Sequence, residues 1–141
     1  MIRLASLAAA LLLTAAPALA QSVDNKVVLT FETGARSGMV MIALFDNATA
    51  FDGRNGAAVA QTAISASGRV VATFDNLPAG EYAVKAFHDV NGDGEMNTNP
   101  FGMPTEPYAF SNNAVGNMGP ARWDRAHFAV SGETAQTISI R

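Results

Sequence analysis

The chain contains no cysteine. A disulfide therefore cannot cross-link the fold, and no lipid can be attached at a mature N-terminal cysteine. Without either device, the folded domain depends on its hydrophobic core for stability.

Only one long apolar run is present, from Leu4 to Ala16, and it is shorter than the roughly 20 residues that a membrane-spanning helix needs. Arg3 precedes the run, and Ala18-Leu19-Ala20, with small residues at the cleavage positions, follows Pro17, which is the order of a secretory signal. We expect cleavage after Ala20. The remaining chain, residues 21–141, is predicted to be one domain without a membrane span, in the periplasm or outside the cell.

Basic residues are few and scattered. Loss of Arg3 with the signal leaves eight basic residues against twelve acidic ones, a formal net charge of −4, and no basic cluster occurs along the chain. Nucleic acid and anionic membrane surfaces are therefore unfavourable partners.

Hydrophobic residues alternate with a period of two, as in Val27, Leu29 and Phe31, which is typical of half-buried strands. No segment has the pattern of a convincing amphipathic helix. Seven strands are predicted, separated by Gly, Asn, Pro and Ser signals. They cover 27–32, 39–45, 57–65, 69–75, 81–88, 124–130 and 134–140.

Seven short strands in one domain predict an all-β fold, a Greek-key sandwich of the prealbumin or immunoglobulin kind with one long ordered loop. The alternation also predicts which side chains point inward. The predicted core consists of Val27, Leu29, Phe31, Val40, Ile42, Leu44, Phe74, Val84, Phe128, Val130, Ile138 and Ile140.

The segment from Val71 to Val84 contains a Leu-Pro-Ala-Gly turn between two strands. Pro78 fixes φ and Gly80 permits a positive φ, so the chain can reverse tightly there. This stretch resembles the strand, turn, strand element of prealbumin-like modules, such as carboxypeptidase regulatory-like and Cna-B-type domains. The resemblance implies that Leu77 and Tyr82 belong to the core.

Three further motifs follow: FHDVNGDGEMNTN at 87–99, GMP at 102–104 and YAFSNN at 108–113. Together with the Gly-Pro at 119–120 and WDRAHF at 123–128, they resemble the signature of the DUF2141 family of exported bacterial proteins. Asn97 stands where that family commonly has Asp, and Ala109 where it commonly has Gly. The resemblance implies an architecture and an exported location, but no reaction.

Oxygen-bearing side chains alternate at Asp89, Asn91 and Asp93, and Gly94 follows, which is the spacing of a calcium loop. An EF-hand is excluded, because its twelfth position is Pro100 and no helix flanks the motif. A calcium loop between strands would be completed by the carbonyl of Glu95 and by Asn97 or Asn99. The alternative is an Asx-rich turn whose side chains bond their own backbone.

The segment 89–122 is longer than most connectors in compact domains, which indicates a binding loop. Its aromatic and amide side chains could form a shallow carbohydrate or peptide site, or could anchor the loop to the sandwich. The candidate ligand residues are His88, Asn99, Tyr108, Ser111, Asn112 and Asn113.

The sequence therefore predicts a binding or interaction module of the cell envelope, with a small ligand or an envelope protein as its partner. Calcium is the one cofactor that it indicates.

The alternative is a hydrolytic or other enzyme that uses the long loop, with His88, Asp89 and Ser111 as the candidate catalytic residues. No nucleophile-elbow turn supports that alternative. A soft-metal site built from His88, His127, Met96, Met103 and Met118 is less favoured, because irregularly spaced methionines usually pack.

Overall fold

A computed structural model describes residues 24–34, 37–66 and 68–141. The predicted signal and its cleavage site lie outside this range. Eight strands form, because apolar side chains alternate along most of them. The strands are β1 (Asn25–Glu32), β2 (Met39–Phe45), β3 (Ala60–Ser65), β4 (Arg69–Leu77), β5 (Gly80–Asp89), β6 (Tyr108–Phe110), β7 (Phe128–Val130) and β8 (Glu133–Ser139).

The strands form two sheets. The three-stranded sheet has the order β4-β1-β8, with β1 antiparallel to β4 and parallel to β8. The five-stranded sheet has the order β3-β2-β5-β6, and β7 also pairs with β5. Both β6 and β7 pair with β5, at 85–87 and at 80–82 respectively. The predicted all-β sandwich is confirmed, with eight strands rather than seven.

The main core lies between the sheets and holds almost all of the predicted inward-facing residues. Eleven of the twelve are buried, and Phe128 is the exception because it is only partly buried against the core. Leu77 is likewise only partly buried, whereas Tyr82 is buried and donates a hydrogen bond from its hydroxyl to the Pro78 carbonyl at 2.7 Å.

Three local predictions are wrong. The strand predicted at 124–130 is divided into a short helix α2 (Trp123–Ala126) and β7, and the strand predicted from 57 begins at Ala60. Gly80 of the Leu-Pro-Ala-Gly turn begins β5 without a positive φ, and the positive φ of 55° falls on Asn76, the residue before the turn.

The start of α2 has a cause remote in sequence. The Asp52 carboxylate accepts a hydrogen bond from the Trp123 amide at 3.0 Å and forms an ion pair with Arg122 at the same distance. Asp52 directly follows the helix α1 (Ala48–Phe51), so the two short helices are held together. This contact stabilises a helical turn where the apolar alternation alone favours a strand.

Both helices lie on the outer face of the five-stranded sheet and bury a second hydrophobic cluster there. Phe51 is fully buried at its centre, with ring centroids 5.5 Å from Phe45 and 6.0 Å from Trp123 in edge-to-face geometry. The cluster covers one end of that face and leaves the rest of it open. Among the described residues, no helix is long and apolar enough to span a membrane.

Candidate functional site

The predicted calcium motif forms a compact turn at residues 89–97, the acidic turn, which begins at the end of β5. The Asp89 carboxylate is buried, and its two oxygens accept hydrogen bonds from the amides of Gly92 at 2.7 Å and Gly94 at 2.9 Å. Both glycines have positive φ, 78° and 80°. Such angles favour glycine, so the sequence permits the backbone to curl around the carboxylate.

Asp93 lies on the exposed side of the acidic turn. Its carboxylate accepts hydrogen bonds from the side-chain amides of Asn97 at 2.8 Å and Asn91 at 2.9 Å, and from the Glu95 backbone amide at 2.9 Å. Hydrogen bonds to the ionised form, that of Asn97 first, lower the pKa of Asp93 below its ordinary 3.8. Donors within the turn therefore offset the electrostatic repulsion between its neighbouring carboxylates.

Glu106 closes the acidic turn from outside, and the sequence analysis missed it. Its buried carboxylate accepts hydrogen bonds from the Val90 amide at 2.9 Å and the Asn97 amide at 3.2 Å. One side chain thus holds both ends of the turn.

The side chains of Asn91, Asp93 and Asn97 hydrogen-bond to one another on the exposed side of the acidic turn, whereas the buried Asp89 side chain bonds the amides of Gly92 and Gly94. Each of the two aspartates already accepts hydrogen bonds at both of its oxygens. Within the described part of the chain, no group of three or more His, Asp or Glu side chains is placed to hold a metal. The arrangement acts as an Asx turn, and calcium binding there stays a prediction.

Residues 97–105 continue into a small hairpin, with an isolated bridge between Thr98 and Pro104. The Asn99 side chain accepts hydrogen bonds from the Phe101 amide at 2.9 Å and the Met103 amide at 3.0 Å, which shapes the tip. Phe101 is 89% exposed there. Asn99 therefore organises its own hairpin.

Ser111, Asn112 and Asn113 connect the long loop to the sandwich. The Ser111 hydroxyl is buried, accepts from the Val84 amide at 2.8 Å and donates to the Ala126 carbonyl at 2.6 Å. Asn112 donates to the His127 carbonyl at 2.9 Å. Asn113 bonds the backbone of β8 and lines a separate cleft of about 250 Å³.

His88 lies apart from these residues. It is fully buried, its Nε2 lies 3.0 Å from the Ser37 carbonyl oxygen, and its Nδ1 has no hydrogen-bond partner among the described residues. Its position on β5 places it on the inner face of the sheet with Val84 and Ala86, whereas Asp89 follows on the outer face.

A groove with a volume of about 1420 Å³ runs over the open part of the outer sheet face. Its floor includes Met41, Ala63 and Phe87 from three neighbouring strands, and Tyr108 borders it on β6. The hairpin and the segment 118–120 form its walls. The long loop and the sheet therefore build this site together.

Methionine is unusually frequent along the groove. Four of the six methionines in the chain line it: Met41, Met96, Met103 and Met118. Unbranched thioether side chains adapt to ligands of different shape, and they are over-represented at surfaces that bind several partners. Met103 is largely exposed and Met118 fully exposed, so part of this apolar lining is in contact with solvent.

Lys85 lies where the groove meets the second hydrophobic cluster. Its Nζ is 4.8 Å from the centroid of the Phe51 ring and 5.2 Å from that of Phe45. Burial lowers the pKa of the Lys85 ammonium below its ordinary 10.5, against a smaller opposing effect of the Asp52 charge. The sequence analysis missed this residue, although a single lysine in the apolar run of β5 was a signal.

Residues 32–139 match the model of a family described as an uncharacterized protein conserved in bacteria, DUF2141. The chain belongs to the DUF2141 family. No curated protein and no solved structure matches it.

The match confirms the family resemblance predicted from the motifs, and it spans every groove residue from Met41 to Pro120. The family description names no activity or ligand. In this DUF2141 protein, the predicted candidates separate: Asn99 and Tyr108 line the groove, His88 and Ser111 are buried, and Asn112 and Asn113 bond the sandwich backbone.

Proposed function

We propose that this DUF2141 protein is an exported binding module of the cell envelope that holds an apolar ligand in the groove. The observation that carries the proposal is the groove itself, about 1420 Å³ in volume and lined mainly by apolar side chains. Typical small-molecule sites have volumes of roughly 300–1,000 Å³, so the groove suits an elongated ligand.

The walls of the groove support this role. Phe101, Met103 and Met118 are exposed on the loop segments that border it. Exposed apolar side chains grouped around a concavity are typical of binding surfaces, because a ligand removes them from water. Asp89 and Glu106 fix the acidic turn, and the hairpin wall continues from it.

Export is the second part of the proposal, supported by the order of basic, apolar and small residues at 1–20. The intact mass of protein recovered from the periplasmic fraction tests it. A mass that begins at Gln21 is expected, and an uncleaved chain in the cytoplasm would contradict it.

Binding is tested with N-phenyl-1-naphthylamine, a neutral dye that fluoresces in apolar sites. The protein should bind the dye, and Ala63→Glu should weaken binding by about tenfold or more, because it places a carboxylate on the groove floor. Ala63 is exposed, so the substitution leaves the core intact.

Val71→Glu is the matched control, because Val71 is exposed on β4 in the other sheet. It should bind the dye as the parent does, with both variants melting near the parent temperature. Absence of dye binding by the parent, or equal loss in both variants, would refute the groove as the site.

A further inference from the structure

The lining of the groove carries charge of one sign only, which is positive. Among the described residues that line it, Lys85 is the only charged one, whereas Asp52 and the carboxylates of the acidic turn belong to neighbouring residues outside the lining. The chain as a whole is acidic, with a formal net charge of −3. The groove is thus a positive site on an acidic protein, which complements an anionic ligand.

The ammonium of Lys85 forms no direct ion pair with the described part of the chain. The chain has two lysines, and the other, Lys26, lies 2.8 Å from the Glu133 carboxylate. Lys85 forms no such ion pair within 4.0 Å with any carboxylate of the described residues. Its neighbours are the faces of two phenylalanine rings, which stabilise a cation but do not neutralise it.

We propose that the groove binds a single-chain amphiphile with a carboxylate head group, which pairs with the Lys85 ammonium while the alkyl chain lies over Met41, Phe87 and Met103. This inference rests on the proposed function and names the ligand class of the same site. A half-buried cation without a partner gains more from an incoming anion than an exposed one does, because water screens it less.

The surroundings favour this ligand over a peptide. The groove lies over the face of the sheet, from β3 to β6, and a peptide that lies across a sheet face does not pair with a strand edge as a further strand. Peptide N–H and C=O groups buried against an apolar floor without partners would cost free energy. An alkyl chain has no such groups, and one carboxylate matches the single positive charge.

The test compares laurate with dodecyltrimethylammonium, which has the same chain length and the opposite charge. Both are titrated below their micelle concentrations against bound N-phenyl-1-naphthylamine. The protein should bind laurate about tenfold or more tightly than the cation, since a charge-assisted hydrogen bond accounts for roughly that factor.

Lys85→Met keeps an unbranched side chain only one atom shorter and should abolish the preference for laurate, while dye binding persists. Lys85→Arg should retain the preference, because it restores the positive charge. The control Lys26→Met removes the other lysine, in the opposite sheet, and should leave the preference unchanged.

Equal affinity of the parent for the two amphiphiles, or a preference for laurate that survives in Lys85→Met, would overturn the carboxylate assignment and leave the groove intact as an apolar site. Failure of the parent to bind the dye would instead refute the proposed function. The two failures are therefore distinguishable.

Discussion

The two lysines show how the fold sets the chemistry of one residue type in two ways. A hydrogen bond from Lys26 to Glu133, together with the Glu133 charge, raises the pKa of Lys26 above 10.5, whereas burial lowers the pKa of Lys85. For Lys85 the folded-state value lies below the unfolded one. Its ionisation therefore opposes folding at neutral pH, and this cost is removed as the pH rises through the folded-state pKa.

We expect Lys85 to titrate at lower pH than Lys26. Reductive methylation with ¹³C-formaldehyde labels both side chains, and NMR follows each dimethylamine signal against pH, with Lys26→Arg and Lys85→Arg variants to assign them. The same order of pKa values should hold at low and high salt. A Lys85 signal that titrates together with Lys26, or above it, would contradict its partial burial.

Lys85 also marks the limit of sequence reasoning at the residue scale. The alternation along β5 correctly predicted that Val84 faces the core. A lysine one position later is expected to point to the opposite, solvent-facing side of the sheet. Lys85 does lie on that outer face. The rings beside its ammonium belong to Phe45 at the end of β2 and Phe51 in α1, and no pattern within β5 encodes that contact.

At the scale of elements, the acidic turn is held by acceptors from inside and outside the motif. The alternation of Asp89, Asn91 and Asp93 left a calcium loop or an Asx-rich turn open, and the Asp89 and Asp93 carboxylates accept hydrogen bonds from the turn's own backbone. The spacing could not predict Glu106, which lies sixteen residues beyond Val90. Likewise, three-residue β6 is too short to show a period and forms by pairing with β5.

Glu106→Gln should loosen the acidic turn. In the wild type, each carboxylate oxygen of Glu106 accepts a hydrogen bond from a backbone amide, that of Val90 or of Asn97. Glutamine replaces one of these oxygens by an NH₂ group that cannot accept, and the loss of a buried hydrogen bond lowers stability by about 1–3 kcal/mol. Hydrogen exchange at the Val90 and Asn97 amides should speed up by about tenfold or more.

Glu95→Gln is the control for this variant, because Glu95 is exposed and its carboxylate accepts no hydrogen bond from the described residues. Its exchange should match that of the parent. If Glu106→Gln exchanged no faster than Glu95→Gln, Glu106 would not be the closing residue.

Calcium binding by the acidic turn is a separate prediction. A cation would have to replace the donors on Asp89 and Asp93, and Asn97 contributes no charge, so the expected dissociation constant is about 10⁻⁴ to 10⁻³ M. At ten times that constant, calcium stabilises the fold by about 1.4 kcal/mol. The melting temperature should therefore be higher in about 10 mM calcium than in EDTA.

Asp89→Ala and Asp93→Ala should lose the effect of calcium, because each removes an oxygen ligand. Overlapping melting curves of the parent with calcium and with EDTA would leave the hydrogen bonds as the whole account of the turn.

For the whole molecule, the period-two pattern was sufficient to predict a sandwich and its inner faces, because burial of alternate side chains dictates both. It could not predict the order of the strands. The parallel pairing of β1 with β8 joins Lys26 to Glu133 across most of the chain. The residues of α2 were predicted to belong to a strand, since Ala126, Phe128 and Val130 alternate. Both features depend on long-range contacts.

The stability of the sandwich should depend on residues that close the space between the sheets. Phe74 on β4 is 7% exposed and belongs to the main core, and its strand partner on β1 is Val27, which is fully buried. Phe74→Ala removes most of a buried ring and leaves a cavity, so we expect a loss of about 3–5 kcal/mol in the free energy of unfolding. Phe101→Ala removes the same ring from the exposed hairpin tip and should change the free energy of unfolding by no more than about 0.5 kcal/mol.

Urea denaturation compares the midpoints of the two variants, provided that their transitions have the same slope. Equal midpoints for Phe74→Ala and Phe101→Ala would mean that β4 does not seal the core, and the pairing of the two sheets would have to be reassigned.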